Sequence, residues 1–290
     1  MPIWKAALLG VIQGITSVLP VSSSGHIALF GRLLGESSTV SLSFMVYLHI
    51  GTLLAILWSF QRDAGRLVRA YLQILMDLIT NGTQVFRVLS GHKKVKWQRV
   101  DNGNYRKLAM LLLTASIIEV GVSLIIRNFS FLGASNLLIT AMGFFVTALL
   151  LFISSYTVAV KNNPMRSNYR DAVLAGVLQG AAGIPGVSRL GMALSAGSLS
   201  GMDDGYMVRF AFLMGIPGIV GSLILILPSG QNQSDVIPGA GACVVGILMA
   251  AIVSALLLKV IKRLLTRNAN RFFALYTVVA GIMCIILYFR

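Results

Sequence analysis

The stretch PVSSSGH, residues 20–26, separates two apolar segments near the start of the chain, 3–19 and 27–34. Three hydroxyls, a glycine and an imidazole in succession suit a phosphate or another oxyanion and do not suit a helix that faces lipid. The two segments are too short to cross about 30 Å of hydrocarbon twice. Non-helical backbone at membrane depth is tolerated only where protein buries it or where it lines a wet cavity. The stretch therefore predicts a re-entrant helix hairpin over residues 3–34.

The composition of the whole chain indicates a membrane protein. Of 290 residues, 56% are hydrophobic and 11% are charged, and the mean hydropathy is +0.82, which exceeds what a soluble core buries. The first apolar segment is not expected to be a cleaved signal peptide, because a hydroxyl-rich turn and a second apolar piece follow it. Segments of about 17–25 apolar residues cross a bilayer as helices. We expect six spans, at 44–60, 108–126, 137–155, 206–227, 239–258 and 272–289.

The net charge of +15 lies mainly in segments between these spans. Lysine and arginine mark cytoplasmic segments of membrane proteins, so loops 61–107, 156–171 and 259–271 are predicted to be cytoplasmic. The basic stretch 91–100 is interpreted as a topology determinant on an anionic inner leaflet, in preference to an RNA-binding site. The segments expected outside contain no lysine or arginine, and they are 35–43, 128–135 and 228–238.

The chain contains an internal repeat. Shifting it by 166 residues aligns GVIQGITSVLPVSSSG (10–25) with GVLQGAAGIPGVSRLG (176–191) without a gap. The same shift superposes the span that begins at Phe44 on the span that begins at Phe210. A repeat of this kind predicts two structurally equivalent halves. The identical pairs, seven of sixteen positions, are Gly10/Gly176, Val11/Val177, Gln13/Gln179, Gly14/Gly180, Val21/Val187, Ser22/Ser188 and Gly25/Gly191.

The charge pattern predicts that the two copies have opposite orientations. Span 44–60 ends in a basic loop, whereas span 206–227 follows one. A second re-entrant hairpin is therefore expected over 172–202, entering from the inside, with its tip meeting the first near the midplane. The predicted fold class is an all-α polytopic membrane protein with six transmembrane helices plus two re-entrant helix hairpins arranged as an inverted repeat. Residues 1–290 form one membrane domain, with halves of about 1–126, including the insertion 61–107, and 136–290.

The two tips carry the candidate binding residues. Helix N-termini at such tips present unpaired N–H groups that favour an anion. Arg189 adds a planar fork suited to phosphate or carboxylate, and a buried arginine satisfied by carbonyls is the structural alternative. Gln13 and Gln179 either contact the headgroup or hydrogen-bond across helices. The predicted phosphate-binding residues are Ser22, Ser23, Ser24, His26, Ser188 and Arg189.

These segments resemble the undecaprenyl-diphosphate phosphatase family of bacitracin-resistance membrane proteins. The resemblance rests on GVIQGITSVLPVSSSGH (10–26) and LQGAAGIPGVSRLGMALSAGSLSG (178–201), and it continues through FMVYLHIGTLLAIL (44–57) and VRFAFLMGIPGIVGS (208–222). It covers essentially the whole chain. The family recycles the polyprenyl carrier lipid of bacterial cell-wall (peptidoglycan) synthesis, and the resemblance implies six spanning helices with two re-entrant pairs.

The resemblance also implies roles for individual residues. Ser23 corresponds to the hydroxyl proposed for attack or phosphate binding, and His26 to the family histidine. Ser188 and Arg189 correspond to the pair that grips phosphate. These roles make Ser23 and His26 the candidate catalytic residues.

The chain departs from the family pattern at its acidic positions. Two glutamates, usually thought to hold a divalent metal and to assist proton transfer, are replaced here by Gln13 and Ser17, and a further acidic position is Met45. A later serine and threonine of the second region are Leu190 and Ala193. A metal would thus lose its hard anionic ligands, and no metal site is predicted. Mg²⁺ or Ca²⁺ is expected only if the protein is hydrolytic.

Glu119 is the one acidic residue inside an expected span. Three interpretations remain open: it replaces the missing base as a third catalytic residue, it pairs with Arg189 or Arg209, or it neutralises a packing helix.

The preferred hypothesis is a non-hydrolytic binder or translocator, a flippase that holds the phosphate headgroup of a polyprenyl lipid at the midplane. The first alternative is an active diphosphatase with a rearranged site, and the second is an exporter of small anions or drugs. The expected partners are a polyprenyl phosphate or diphosphate and the bilayer of a bacterial cytoplasmic membrane, without nucleic acid. A homodimer is compatible with the sequence, which does not specify an oligomeric state.

Overall fold

The computed structural model describes residues 1–35, 42–90, 97–100, 102–126, 136–226 and 238–290. This part of the chain is helical, as expected. The segments predicted to lie outside the membrane fall largely beyond the described residues, as does 91–96 of the basic stretch. The helices are α1 (Ile3–Thr16), α2 (Ser23–Leu33), α3 (Leu42–Ser59), α4 (Gln61–Leu89), α5 (Asn104–Ile125), α6 (Leu137–Ser154), α7 (Tyr169–Gly180), α8 (Arg189–Leu199), α9 (Asp204–Ile226), α10 (Ala240–Leu264) and α11 (Asn270–Tyr288).

Helix pairs α1–α2 and α7–α8 form the two hairpins predicted from the repeat. Their helices have 14 and 11 residues in the first pair and 12 and 11 in the second. At about 1.5 Å per residue, none of the four reaches across about 30 Å of hydrocarbon. The second hairpin begins at Tyr169, three residues before the expected boundary, because Asn168 and Asp171 form a capping box at its N-terminus.

The six expected spans correspond to helices. Five of them, α5, α6, α9, α10 and α11, are long and apolar enough to cross a membrane by themselves. The sixth, α3, meets the criterion together with α4, from which it is bent by 88°. The chain is therefore an integral multi-pass membrane protein.

Each hairpin rests on a spanning helix from the other half of the sequence. Helix α1 packs against α10, and α7 packs against α5. Both contacts use the glycines that the repeat aligns, since a Cβ on Gly10 would lie 2.5 Å from the carbonyl oxygen of Gly246 and one on Gly176 would lie 2.5 Å from that of Ala115. Small residues allow such close approach of membrane helices. The repeat is thus visible in helix packing as well as in sequence.

The basic insertion 61–107 is a helix over much of its length, which corrects its interpretation as a loop. The apolar residues of α4 recur with the period of a helix, and the arginines between them give the segment the composition of a basic loop. Apolar and basic residues occupy opposite sides of α4. The buried side, including Leu67 and Ala70, packs on α5. A helix with this pattern, turned 88° from the preceding span, is typical of one that lies in the membrane interface. The exposed apolar side chains of α4 include Val68, Leu72, Leu75, Ile79 and Phe86.

We expect a nitroxide at position 75 to contact lipid and one at position 69 to contact water, because Leu75 lies on the exposed apolar side of α4 and Arg69 on its polar side. Single-cysteine variants Leu75→Cys and Arg69→Cys, in a background with Cys243→Ser and Cys284→Ser, would be labelled in liposomes. Collision of the label with oxygen should be favoured at 75, and collision with a water-soluble nickel complex at 69. Equal exposure of both labels to the nickel complex would contradict an interfacial α4.

Candidate functional site

The serines that the repeat aligns cap equivalent helices. Ser22 is the N-cap of α2, and its Oγ accepts from the N–H of Gly25 at 3.2 Å. Ser188 is the N-cap of α8, and its Oγ accepts from the N–H of Gly191 at 3.0 Å. All four residues belong to identical pairs of the repeat, so the sequence identity reflects two copies of one capping interaction. Each capping hydroxyl keeps its own proton available for donation.

The tips of the two hairpins are in direct contact. A Cβ added to Gly25 would lie 3.0 Å from Cα of Gly186, and one added to Gly191 would lie 3.2 Å from the carbonyl oxygen of Pro20. The predicted meeting of PVSSSGH with PGVSR is therefore confirmed. Since a helix begins at each tip, two positive dipole ends lie next to each other.

A cleft opens between the tips and helices α3 and α9. The first residues of α2 and α8, Ser23 and Arg189, lie on its wall together with the α8 cap Ser188. Ser23 and Arg189 occupy equivalent positions of the repeat, offset by 166 residues. The residues lining the cleft are Thr16, Ser17, Leu19, Ser23, His49, Thr52, Ile56, Ser188, Arg189, Leu190, Ala211, Phe212, Gly215 and Ile219.

The guanidinium of Arg189 is only half satisfied. Its Nη2 donates to Oγ of Ser222 at 2.9 Å, while Nη1 is buried and has no hydrogen-bond partner. A buried donor without a partner costs free energy, and a charged one costs more than a neutral one. The arginine is thus positioned by α9 and retains donor capacity for an anion in the cleft.

The cleft unites only part of the predicted phosphate-binding set. Ser23, Ser188 and Arg189 line it, whereas Ser22 and Ser24 do not. The Oγ atoms of Ser22 and Ser24 lie 3.3 Å apart, so these two hydroxyls are positioned to serve the turn. Ser22 has a φ of 67°, a conformation that L-residues rarely adopt, whereas the equivalent cap Ser188 has a φ of −81°.

His26 is held away from the cleft. Its Nδ1 donates to the carbonyl of Ser22 at 2.7 Å, and its Nε2 lies 2.7 Å from the hydroxyl of Tyr276 on α11. The ring also stacks on Tyr276 and meets Phe144 edge-on, with centroids 5.6 and 5.3 Å apart. With both ring nitrogens engaged, His26 fixes the first tip against α6 and α11.

His49, which the motifs of the sequence did not indicate, is the imidazole that lines the cleft. Its Nδ1 donates to the carbonyl of Met45 at 2.7 Å, which leaves Nε2 for a ligand. A histidine within an apolar span was the only available signal. Met45 itself lies 6% exposed in an apolar cluster with Leu9 and Phe44.

The two positions at which the family pattern has glutamates form a neutral polar chain. Gln13 donates to Thr52 at 3.5 Å, Thr52 donates to Ser17 at 3.1 Å, and Ser17 lies 3.4 Å from the hydroxyl of Ser254. Gln179, which the repeat aligns with Gln13, donates to the carbonyl of Met214 on α9 at 3.2 Å. Both glutamines thus hydrogen-bond across helices, which was one of the two interpretations.

This donor set does not fit a divalent cation. Mg²⁺ and Ca²⁺ are held in proteins largely by carboxylates. Gln13, Ser17 and Thr52 offer one amide and two hydroxyls, and none of the described residues that line the cleft carries a carboxylate. Among the described residues, no group of three or more histidine, cysteine or acidic side chains converges on one point.

Glu119 lies behind the cleft, not in it. Its side chain is buried between α5, α7 and α9, where a Cβ on Gly218 would lie 2.5 Å from its Oε1. Arg209, one proposed partner, instead approaches Asp63, with 3.8 Å between Nε and Oδ1. Arg189, the other, interacts with Glu119 electrostatically, but no ion pair within 4.0 Å joins them.

Comparison with known proteins identifies relatives over nearly the full chain. The family model described as Bacitracin resistance protein BacA matches residues 6–283. The chain is 30% identical over 283 residues to the undecaprenyl-diphosphatase of Methanobrevibacter smithii, covering 98% of this chain and 96% of that protein. It is 31% identical over 291 residues to that of Christiangramia forsetii, covering 99% and 98%. The chain therefore belongs to the BacA family, and both relatives named above are called undecaprenyl-diphosphatase.

Proposed function

We propose that this protein acts in polyprenyl carrier recycling: it binds the phosphate headgroup of the lipid in the cleft between the two tips and carries it across the membrane without hydrolysing it. One observation carries the proposal, namely the buried Nη1 of Arg189, which faces no acceptor while Nη2 is fixed by Ser222. A phosphate oxygen is the acceptor that such a fork accommodates.

The composition of the cleft supports an amphipathic ligand. Ser23 and Ser188 offer hydroxyl donors, and the N-termini of α2 and α8 favour negative charge. Leu19, Ile56 and Phe212 supply an apolar wall for the first units of a polyprenyl chain. The relatives' printed name points to the same lipid class.

The absence of carboxylates from the cleft favours binding over hydrolysis. Phosphoryl transfer requires charge neutralisation on the transferred group and an activated nucleophile. Arg189 supplies the first, but the cleft residues that the structure describes include no acid to activate water or to hold a metal. Two inverted halves, about 1–126 and 136–290, would expose the headgroup to each side in turn by rocking around the tips.

This function places the protein in a bacterial cytoplasmic membrane. The basic segments 61–107, 156–171 and 259–271 then face the cytoplasm, where anionic lipids attract them.

The test compares leaflet transfer with phosphate release in the same liposomes. Purified protein would be reconstituted with a fluorescent polyprenyl phosphate, and transfer would be followed by a membrane-impermeant quencher. We expect transfer, and from polyprenyl diphosphate we expect no inorganic phosphate, with or without Mg²⁺ or Ca²⁺. Liposomes without protein provide the baseline. Failure to transfer the lipid would refute translocation.

A second candidate, hydrolysis of polyprenyl diphosphate, is favoured by one observation: Ser23 and His49 line the same cleft. A hydroxyl and an imidazole together are a nucleophile and a base. Phosphate release that His49→Gln abolishes while lipid binding persists would establish this activity in place of the first. His26→Gln is the matched control, since His26 faces α11.

A further inference from the structure

A second polar cluster lies next to the cleft, between α5, α7 and α9. The side chains of Glu119 and Gln179 converge on Gly218, because a Cβ there would lie 2.5 Å from Oε1 of Glu119 and 3.0 Å from Nε2 of Gln179. Glu119 is 5% exposed and Gln179 is 1% exposed. The lack of a side chain at Gly218 therefore admits a carboxyl group into the protein interior.

Two acceptor atoms in this cluster have no donor. Oε2 of Glu119 and Oε1 of Gln179 are both buried without a hydrogen-bond partner. The amide nitrogen of Gln179 donates to the carbonyl of Met214 and also to the carboxyl group of Glu119, so it has no further N–H for the two unpartnered oxygens. An ionised carboxylate at this depth is costly unless a cation or donor compensates it. One proton on Glu119 would neutralise its carboxylate and would supply the hydrogen-bond donor that the two acceptors lack.

The cluster is connected to the cleft through a single helical turn. The Oγ of Ser222 donates to the carbonyl of Gly218 at 2.9 Å. The same Oγ accepts from Nη2 of Arg189 at 2.9 Å. Glu119 and Arg189 also interact electrostatically. The charge on Glu119 therefore changes the field at the guanidinium that faces the cleft, with little screening in a low-dielectric interior.

The acidic groups on the helices packed around Glu119 are occupied by partners of their own. Within the described residues, Arg189 is the charged group that interacts electrostatically with Glu119. The occupied groups are Asp171 with Lys161, Asp77 with Arg106, Asp63 with Arg209, and Asp204 with Arg267.

We infer that Glu119 is a proton-binding site coupled to the headgroup site: it takes up a proton when a phosphate binds Arg189 and releases it when the phosphate leaves. The inference rests on the proposed function. Its sign follows from charge. Neutral Glu119 leaves the positive field of Arg189 uncompensated and strengthens phosphate binding, whereas ionised Glu119 weakens it. By reciprocity, bound phosphate favours protonated Glu119. A lipid phosphate would thus cross together with a proton.

The experiment measures binding of polyprenyl phosphate to wild type and to Glu119→Gln across pH. The amide imitates the protonated acid in shape and charge. Taking the ratio of the two dissociation constants cancels the ionisation of the lipid and of His49. We expect the ratio, wild type over variant, to rise at least tenfold as Glu119 ionises with increasing pH. Asp77→Asn is the matched control, with a ratio that does not vary with pH.

Two further readouts keep the outcomes distinct. The infrared C=O stretch of a protonated carboxyl group should appear at low pH without added lipid, persist to higher pH when lipid is bound, and be absent in Glu119→Gln at every pH. If no lipid binds at any pH but this band is present, the proposed function fails and the proton site stands. A flat ratio, or no such band, would overturn the proton site. A ratio that depends on sodium at constant pH would replace the proton by Na⁺.

Discussion

Arg189→Ala is expected to weaken binding of polyprenyl phosphate by at least about 30-fold. Truncating one partner of a buried, hydrogen-bonded charge pair costs about 2–5 kcal/mol, and 1.4 kcal/mol corresponds to a factor of ten. Arg189 joins two elements of the cleft, since it begins α8 and bonds to α9 through Ser222, and it lines the same cleft as Ser23 of the other tip. Binding to purified protein in nanodiscs, measured with a fluorescent lipid, would report the loss.

Three variants make this result specific. Arg209→Ala is the matched control, because its guanidinium is half exposed and faces Asp63, so binding should stay within about twofold. Arg189→Lys should recover only part of the affinity, since an ammonium group does not reproduce the planar fork. Ser222→Ala should weaken binding less than Arg189→Ala, because it removes only the group that positions Nη2. Equal affinities of Arg189→Ala and wild type would contradict the assignment of the cleft.

The hairpins and the spans could be predicted from the sequence because the signals that indicate them do not depend on tertiary packing. Span length, charge bias and a repeat offset of 166 residues do not depend on how helices rotate. The identities between the repeats proved to be packing and capping residues: Gly10 and Gly176 contact spanning helices, while Ser22 and Ser188 cap α2 and α8. The residues that the two repeats share are therefore those that shape the backbone of the hairpins.

The membership of the cleft could be predicted only in part. His26 lies four residues after Ser22, so one helical turn places its ring next to the carbonyl of Ser22, the N-cap of the same helix. His49 reaches the cleft because of the rotation of α3 about its axis, which a uniformly apolar sequence does not specify. The position of Glu119 behind the cleft likewise depends on Gly218, which is distant in sequence. Such contacts arise from tertiary packing.

Helix α4 shows a different limit. Counting charges over 61–107 predicts a side of the membrane but does not reveal the helix, in which the arginines recur on one side. The periodicity of the apolar residues was the relevant signal.

Gly186→Ala is expected to destabilise the protein by more than about 3 kcal/mol, since two penalties add. Gly186 has a φ of 90°, and a Cβ there would lie 2.0 Å from the carbonyl oxygen of Thr140 and 2.9 Å from the amide nitrogen of Phe144. These are backbone atoms of α6, so neither can rotate away. The melting temperature in detergent should fall by at least about 6–12 °C, given about 2–4 °C per kcal/mol for larger domains.

The matched control is Gly121→Ala, where nothing lies within 4 Å of the added Cβ and the backbone is already helical, so the melting temperature should not fall. The Gly186 variant should also lose affinity for lipid phosphate, because the tip that this glycine fixes against α6 carries the cleft residues that follow it. The hydroxyl of Thr147 donates to the carbonyl of Gly186 and accepts from the amide of Ser188. Displacing residue 186 therefore displaces Ser188, and Arg189 with it. An unchanged melting temperature with unchanged binding would show that α6 does not hold the second tip in place, and the packed geometry of the cleft would then be wrong.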